Sequence, residues 1–244
     1  MSMTTEKKVL QFPTLAEPSI EAILSRFLKS EQKRLKVRTY RRYREVIDLM
    51  KHCLNAYGAN DLQSSSDIAL YDRLSYHKNI DFCAIFGPEK ILPSVSHFLN
   101  YFMIRKVMAS EALLQASGTV TKRLIKWLEE QGFVGKEEAD KATAIAAEAA
   151  RELPAAERLA RLLYEYAQQY APRYWTAEID DYFTVDKVEP GLLYLSAMTS
   201  ADSVEVRVPK DITDHCRVGW QVNLLLGKTR NGWSILETGN VYPS

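Results

Sequence analysis

The sequence has few of the residues that bind metals or form disulfides. The histidines of the 244-residue chain are His52, His77, His97 and His215, and the cysteines are Cys53, Cys83 and Cys216. No two histidines have HExxH or another metal-site spacing. The cysteines are widely spaced and odd in number, which fits neither a disulfide framework nor a CxxC motif. We therefore predict no bound metal and a structural role for each thiol.

Long apolar runs are also missing. No stretch approaches the roughly 20 apolar residues that a membrane-spanning helix needs. The first residues, MSMTTEKKVLQFPTL, lack the continuous apolar segment and the small-residue cleavage site of a signal peptide. The sequence therefore predicts a cytoplasmic protein without a membrane partner.

The chain contains no recognised catalytic motif. GxGxxG, the Walker loop and GxSxG are all absent. Two polar clusters remain, namely the segment DITDHCRVG at residues 211–219 and the adjacent pair Asp180-Asp181. The first is more typical of a polar loop between strands, and the second of solvated acids. We predict no catalytic residue and no cofactor, and an enzyme with an unrecognised site remains a third possibility.

Charge is distributed unevenly along the chain, although the net charge is +1. Residues 1–60 contain 12 Lys and Arg against 6 Asp and Glu, whereas residues 136–244 contain 12 against 17. A polyanion would therefore be attracted to the N-terminal part.

Apolar residues recur at helical spacing through the first two-thirds of the chain, after a flexible leader at residues 1–17. The predicted helices span residues 19–33, 38–57, 86–108, 110–115, 118–132 and 136–152, and a further helix opens at Pro154. Pro93 is expected to interrupt or restart the helix at 86–108. The serine-rich stretch 60–67 is expected to be a mobile loop. This pattern predicts a helical domain at residues 18–134 and an additional helical hairpin at 135–172.

The pattern changes to short strands after about Arg173. Predicted strands cover residues 182–189, 191–198, 203–209, 220–229 and 232–240. Five short strands fit a small β-barrel at residues 173–244, either SH3-like or OB-like. Trp220 and Trp233 are expected in its core, the alternative being an outward platform for a peptide or bases. The predicted fold class is α+β, with two domains.

The segment KRLKVRTYRRYREV, residues 33–46, is the most basic part of the chain. On a helix, Arg38, Arg41 and Arg42 lie opposite the apolar Tyr43 and Ile47. Such a row of guanidiniums can bind phosphates with a salt-dependent, largely sequence-independent affinity. The ordinary alternative is a solvated face paired with neighbouring glutamates. The predicted nucleic-acid-binding residues here are Lys33, Arg34, Lys36, Arg38, Thr39, Arg41, Arg42 and Arg44, and Thr39 is also expected to cap the helix.

A second phosphate site is predicted where the helix at 118–132 begins. A helix N-terminus with hydroxyls and cations is suited to a phosphate. The residues predicted to bind there are Thr121, Lys122, Arg123 and Lys126, with Thr119 beside them.

As a set, these segments resemble a known domain. FLKSEQKRLKVRTYRRYREVIDLMKHCLN resembles the first two helices of the SAM-like core-binding domain of tyrosine recombinases and phage integrases. KILPSVSHFLNYF and SGTVTKRLIKWLEEQGFV resemble its third and fourth helices, so the resemblance covers about residues 18–134. It implies DNA binding through the basic and hydroxyl residues at 38–44 and 121–126.

Two departures limit what this resemblance implies. The Arg…Lys…His-x-x-Arg…Tyr catalytic set of the family is absent, and the connection at residues 59–86 is longer than in the family. Strand cleavage is therefore not implied. ASEALLQASGTVTKRLIKWLEEQGFV also resembles the helix-turn-helix of winged-helix regulators, with its recognition helix starting at Gly118, although no β-wing follows.

The leading hypothesis is a non-catalytic nucleic-acid-binding protein, with DNA favoured over RNA as the partner. Its β-domain would contact a second partner or stabilise a homodimer. The alternative is an interaction or assembly module whose basic face binds an acidic protein, such as the acidic C-terminal part of a second copy.

Overall fold

The computed structural model describes residues 15–76, 78–200 and 203–243, and within them the chain has an α+β fold. Residues 1–14, which make up most of the predicted leader, and residues 77, 201, 202 and 244 lie outside the described residues. None of the helices described is long and apolar enough to cross a membrane.

Two helices, α1 (Ile20–Gln32) and α2 (Val37–Tyr57), open the fold. The hydroxyl of Ser19 accepts a hydrogen bond from the Ala22 N–H at 3.3 Å and caps α1 as predicted. The N-cap of α2 is Lys36, so the prediction that Thr39 caps this helix is wrong. Tyr43 and Ile47 are buried, which confirms the predicted inner face of α2.

Short helical turns follow α2, and those after Phe86 lie in the segment 86–108, where a helix interrupted or restarted at Pro93 was predicted. They include α3 (Ser65–Tyr71), α4 (Phe82–Ile85), α5 (Val95–His97) and α6 (Met103–Arg105), joined by 3₁₀ and π turns. Pro88 and Pro93 lack an N–H and lie in 3₁₀ turns, so the interruption predicted at Pro93 is present, whereas Pro88 begins a 3₁₀ turn and not a longer helix. The predicted mobile loop at 60–67 is interrupted because α3 already begins at Ser65.

The two longest helices, α7 (Glu111–Glu130) and α8 (Lys136–Tyr170), pack along each other. Each runs through a residue that was predicted to start a new helix. Gly118 lies inside α7, where the backbone of α8 approaches so closely that a Cβ would be 2.5 Å from the Ala150 nitrogen. Pro154 lies inside α8. The predicted separate helix at 110–115 and the predicted hairpin at 135–172 are therefore wrong.

Helix α8 takes part in two hydrophobic cores. The first core gathers buried residues between Ile20 and Leu153, from α1 to the first half of α8. The second gathers Ala156 to Val241, and combines the second half of α8 with the C-terminal strands. The two cores therefore meet within one continuous helix.

All five predicted strands are present: β1 (Glu178–Glu189), β2 (Leu192–Ala197), β3 (Ser203–Arg207), β4 (Gln221–Thr229) and β5 (Gly232–Tyr242). Most pairs are antiparallel, and β3 meets β5 in parallel where Val206 faces Trp233. The sheet closes in the order β1–β2–β3–β5–β4, with the short helix α9 (Lys210–His215) between β3 and β4. Trp220 is buried as predicted, whereas Trp233 is partly exposed.

One arginine connects the short helical turns to the sheet. The guanidinium carbon of Arg105 lies 5.3 Å from the ring centroid of Tyr101, 5.5 Å from that of Tyr182 and 5.0 Å from that of Tyr242. It also donates hydrogen bonds to the hydroxyls of Tyr182 and Tyr242, and the bond to Tyr242 raises the pKa of Arg105. This cluster fixes the sheet against α6.

Candidate nucleic-acid interface

The outer side of α2 presents a row of exposed arginines. Arg38, Arg41 and Arg44 follow one another at intervals of three residues, which keeps them on neighbouring positions of the helix surface. Lys33 and Lys36 are exposed just before α2 begins. No ion pair joins any of these five side chains to another residue of the described part. We call these five residues the α2 basic face.

Negative side chains limit this face toward the middle of α2. Arg42 is half-buried, and its guanidinium lies 2.8 Å from the carboxylate of Glu45. Arg41 and Arg44 line a shallow open groove together with Glu45, Asp48 and Leu49. The basic character is thus concentrated at the N-terminal end of α2, and Arg42 is partly neutralised.

Two of the predicted phosphate ligands bind a buried carboxylate instead. The side chain of Glu31, at the end of α1, is only 2% exposed. Arg123 Nε of α7 lies 3.0 Å from one of its oxygens, and Arg34 donates to the other. The hydrogen bond to Glu31 raises the pKa of Arg34. Arg123 thereby connects α7 to α1, and Arg34 is paired at the end of α1, so neither belongs to the α2 basic face.

The residues predicted to form the second phosphate site do not lie at the start of a helix, because α7 begins at Glu111 and not at Gly118. Thr121 lies in mid-helix, where it is fully buried, and its hydroxyl has no hydrogen-bond partner among the described residues. Lys122 and Lys126 are exposed, and Lys126 Nζ is 3.9 Å from Glu130. The uninterrupted α7 also lacks the turn of a helix-turn-helix, so the prediction of that motif is wrong.

The two polar clusters noted in the sequence have structural roles. Asp181 is buried and accepts hydrogen bonds from the Thr199 hydroxyl at 2.6 Å, the Thr199 N–H at 2.9 Å and the Tyr182 N–H at 2.7 Å. Burial alone would raise the pKa of Asp181, but these hydrogen bonds lower it. The interpretation of Asp181 as a solvated acid is therefore wrong.

The segment at 211–219 does connect two strands, as predicted, and most of its first half forms α9. His215 Nδ1 lies 2.8 Å from the carbonyl oxygen of Asp211, and Lys210 pairs with Asp214 at 2.6 Å. These are contacts within a single turn of helix. Among the residues described, no group of three or more His, Cys, Asp or Glu side chains is placed to hold a metal.

The three cysteines are buried, and we expect them to be unreactive in the folded protein. Burial raises the pKa of Cys53 and Cys83 to about 12 and that of Cys216 to about 11. A disulfide reagent at about pH 8 should label the native chain slowly and label all three thiols in denaturant. Fast native labelling at stoichiometric level would contradict this burial.

The same pKa shifts predict that the folded chain becomes less stable as the pH rises above about 9. The thiols keep their protons to higher pH in the folded chain than in the unfolded one, where the ordinary value is 9.0. Their contribution to stability is therefore complete below about pH 9 and is lost as the pH rises toward the folded-state values.

No protein-family model and no curated protein sequence matches this chain. The resemblance to the core-binding domain of tyrosine recombinases accordingly stays a prediction.

Proposed function

We propose that this protein is a non-catalytic DNA-binding protein that contacts duplex phosphates through the α2 basic face. The observation that carries the proposal is the set of five exposed cations without an ion-pair partner in the described part, concentrated at one end of one helix. The guanidinium of an arginine can donate two parallel hydrogen bonds to the oxygens of one phosphate, so a row of arginines suits contact with several phosphates.

The surroundings of this face support the same conclusion. Helices α2 and α7 pack against each other, and α7 carries the exposed Lys122 and the exposed Lys126, which is 3.9 Å from Glu130. Contacts of this kind bind the phosphate backbone with little sequence preference and release condensed counterions. The recombinase-like resemblance of residues 18–134 favours DNA over RNA as the polyanion.

The C-terminal sheet is proposed to be an OB-like barrel, not an SH3-like one. Its five strands close in the order β1–β2–β3–β5–β4, and β3 and β5 meet in parallel. Helix α9 fills the connection between β3 and β4. This arrangement agrees with a five-stranded Greek-key barrel of the OB type.

Charge reversal tests the proposed interface. The variant Arg38→Glu/Arg41→Glu/Arg44→Glu should bind a labelled random duplex at least about a hundredfold more weakly, since three phosphate contacts become repulsive. A matched control is Lys136→Glu/Arg151→Glu/Arg207→Glu, which makes the same change in net charge at exposed positions outside α2. We expect the control to lose much less affinity.

Two outcomes of this comparison would overturn the proposal. Equal loss in the two triple variants would mean that overall charge, and not α2, governs binding. Absence of duplex binding by the unmodified chain, together with salt-sensitive self-association that the α2 variant abolishes, would favour the alternative of an acidic protein partner.

A further inference from the structure

The linker between α8 and β1 presents two adjacent aromatic rings to solvent. Tyr174 is 87% exposed and Trp175 is 43% exposed. Aromatic side chains of this size normally contribute to a core or an interface. Two exposed rings on neighbouring residues are therefore a surface that a ligand with flat apolar groups can contact.

Backbone hydrogen bonds hold this linker in place. The Thr176 N–H donates to the carbonyl of Lys228 at 2.9 Å, and the Lys228 N–H donates to the carbonyl of Ala177 at 2.8 Å. The indole N–H of Trp175 lies 3.1 Å from the carboxylate of Glu178. The two rings are thus displayed from a backbone that is fixed against the end of β4.

Cationic residues neighbour these rings along the chain and across the backbone hydrogen bonds to the end of β4. Arg173 precedes Tyr174, and Arg230 lies in the turn between β4 and β5, two residues after the hydrogen-bonded Lys228. Arg173 and Arg230 are exposed and have no ion pair with another described residue. The ammonium of Lys228 lies 5.8 Å from the ring centroid of the partly exposed Trp233.

We propose that this aromatic–basic patch, formed by Arg173, Tyr174, Trp175, Lys228 and Arg230, binds an unpaired strand of nucleic acid. Bases would stack on Tyr174 and Trp175 while the three cations meet the phosphates of the same strand. Every base has a flat face, so such stacking tolerates any sequence. The contact extends the proposed function from duplex to single strands and uses none of the residues of the α2 basic face.

The outer surface of β2 and β3 is less suited to this ligand. Glu205 projects outward from β3, and Glu189, at the end of β1, lies beside β2. The nearby cation Lys187 is already paired with Glu189 at 2.6 Å. With Arg207 also exposed on β3, that surface is close to neutral. The linker end has three cations and Glu178, so it is more positive and favours phosphates.

The test uses the full chain carrying the α2 charge reversal, so that the duplex site does not contribute. The probe is a fluorescein-labelled oligodeoxythymidylate of about 12 nucleotides, followed by anisotropy at about 50 mM salt. Tyr174→Leu/Trp175→Leu keeps apolar bulk but removes the rings, and Tyr174→Phe/Trp175→Phe keeps the rings. Circular dichroism checks that both variants are folded.

We expect the leucine pair to bind about tenfold or more weakly, and the phenylalanine pair to stay within about threefold of its parent. An abasic oligomer of equal length should also bind weakly, because it offers phosphates without bases. Equal binding by the leucine and phenylalanine pairs, or equal binding of the abasic oligomer, would overturn the proposal. Failure of the α2 face to bind duplex would leave this result unaffected, since the parent here already lacks that face.

Discussion

Replacing Gly118 with valine is expected to lower the free energy of unfolding by about 3 kcal/mol or more. A Cβ at this position would lie 2.5 Å from the Ala150 nitrogen and 2.7 Å from the Ala146 carbonyl oxygen. Both atoms belong to the backbone of α8, which cannot rotate away as a side chain could. Helices α7 and α8 would have to separate along their whole contact, and the first core would lose packing.

A smaller substitution separates this contact from ordinary helix propensity. Gly118→Ala should still destabilise the chain, although alanine is better than glycine by about 1 kcal/mol in an open helix. Thr119→Val serves as the control, because it places the same branched side chain at the next, exposed position of α7. Urea unfolding followed by circular dichroism measures all three variants. A Gly118→Ala chain more stable than the unmodified chain would contradict the close approach of the two helices.

Removing both arginines that bind Glu31 is expected to cost about 3–5 kcal/mol of stability. In Arg34→Ala/Arg123→Ala the Glu31 carboxylate stays buried between α1 and α7 but loses the guanidiniums that neutralise it. Arg34→Ala alone should cost less, because Arg34 is largely exposed and Arg123 still holds the carboxylate. Unfolding in urea measures each variant.

A third substitution tests whether the buried charge causes this loss. Adding Glu31→Leu to the double variant should restore most of the stability, since an apolar side chain of similar size needs no counter-ion there. The restored chain should bind duplex DNA within about threefold of the unmodified chain, because Arg34 and Arg123 lie outside the α2 basic face. A large loss of DNA affinity in this stable variant would mean that Arg34 and Arg123 do contribute to DNA binding.

Periodicity predicted the elements whose signals were local. The cap at Ser19, the inner face of α2 and the five strands each follow from residues within one element, and the structure has all of them. Gly118 was misleading because its usual local effect, to break or start a helix, is overridden by the packing of α8 against α7. Pro154 was misleading because α8 continues through it. A single sequence shows the glycine but not the helix that approaches it.

The candidate site was predictable only in part, because charge in a sequence does not reveal pairing across helices. Arg34 and Arg123 looked like the other cations of their segments, yet they meet at one carboxylate across 89 residues of chain. One signal could have found this ion pair. Glu31 continues the apolar stripe of Ile20, Leu24 and Phe27 at helical spacing, which places its carboxylate in the core. A charged residue on such a buried stripe needs an oppositely charged or hydrogen-bonding partner, because burying an unpaired charge is costly.

The measurement that tests the central claim most directly is the salt dependence of duplex binding by the unmodified chain. Fluorescence anisotropy with a labelled random duplex should give micromolar or tighter affinity at low salt. The logarithm of the affinity should then fall with the logarithm of salt concentration with a slope of about −3 or steeper, since each phosphate contact adds about −0.9. Binding that does not change with salt, or no binding even at about 50 mM salt, would contradict a phosphate interface on α2.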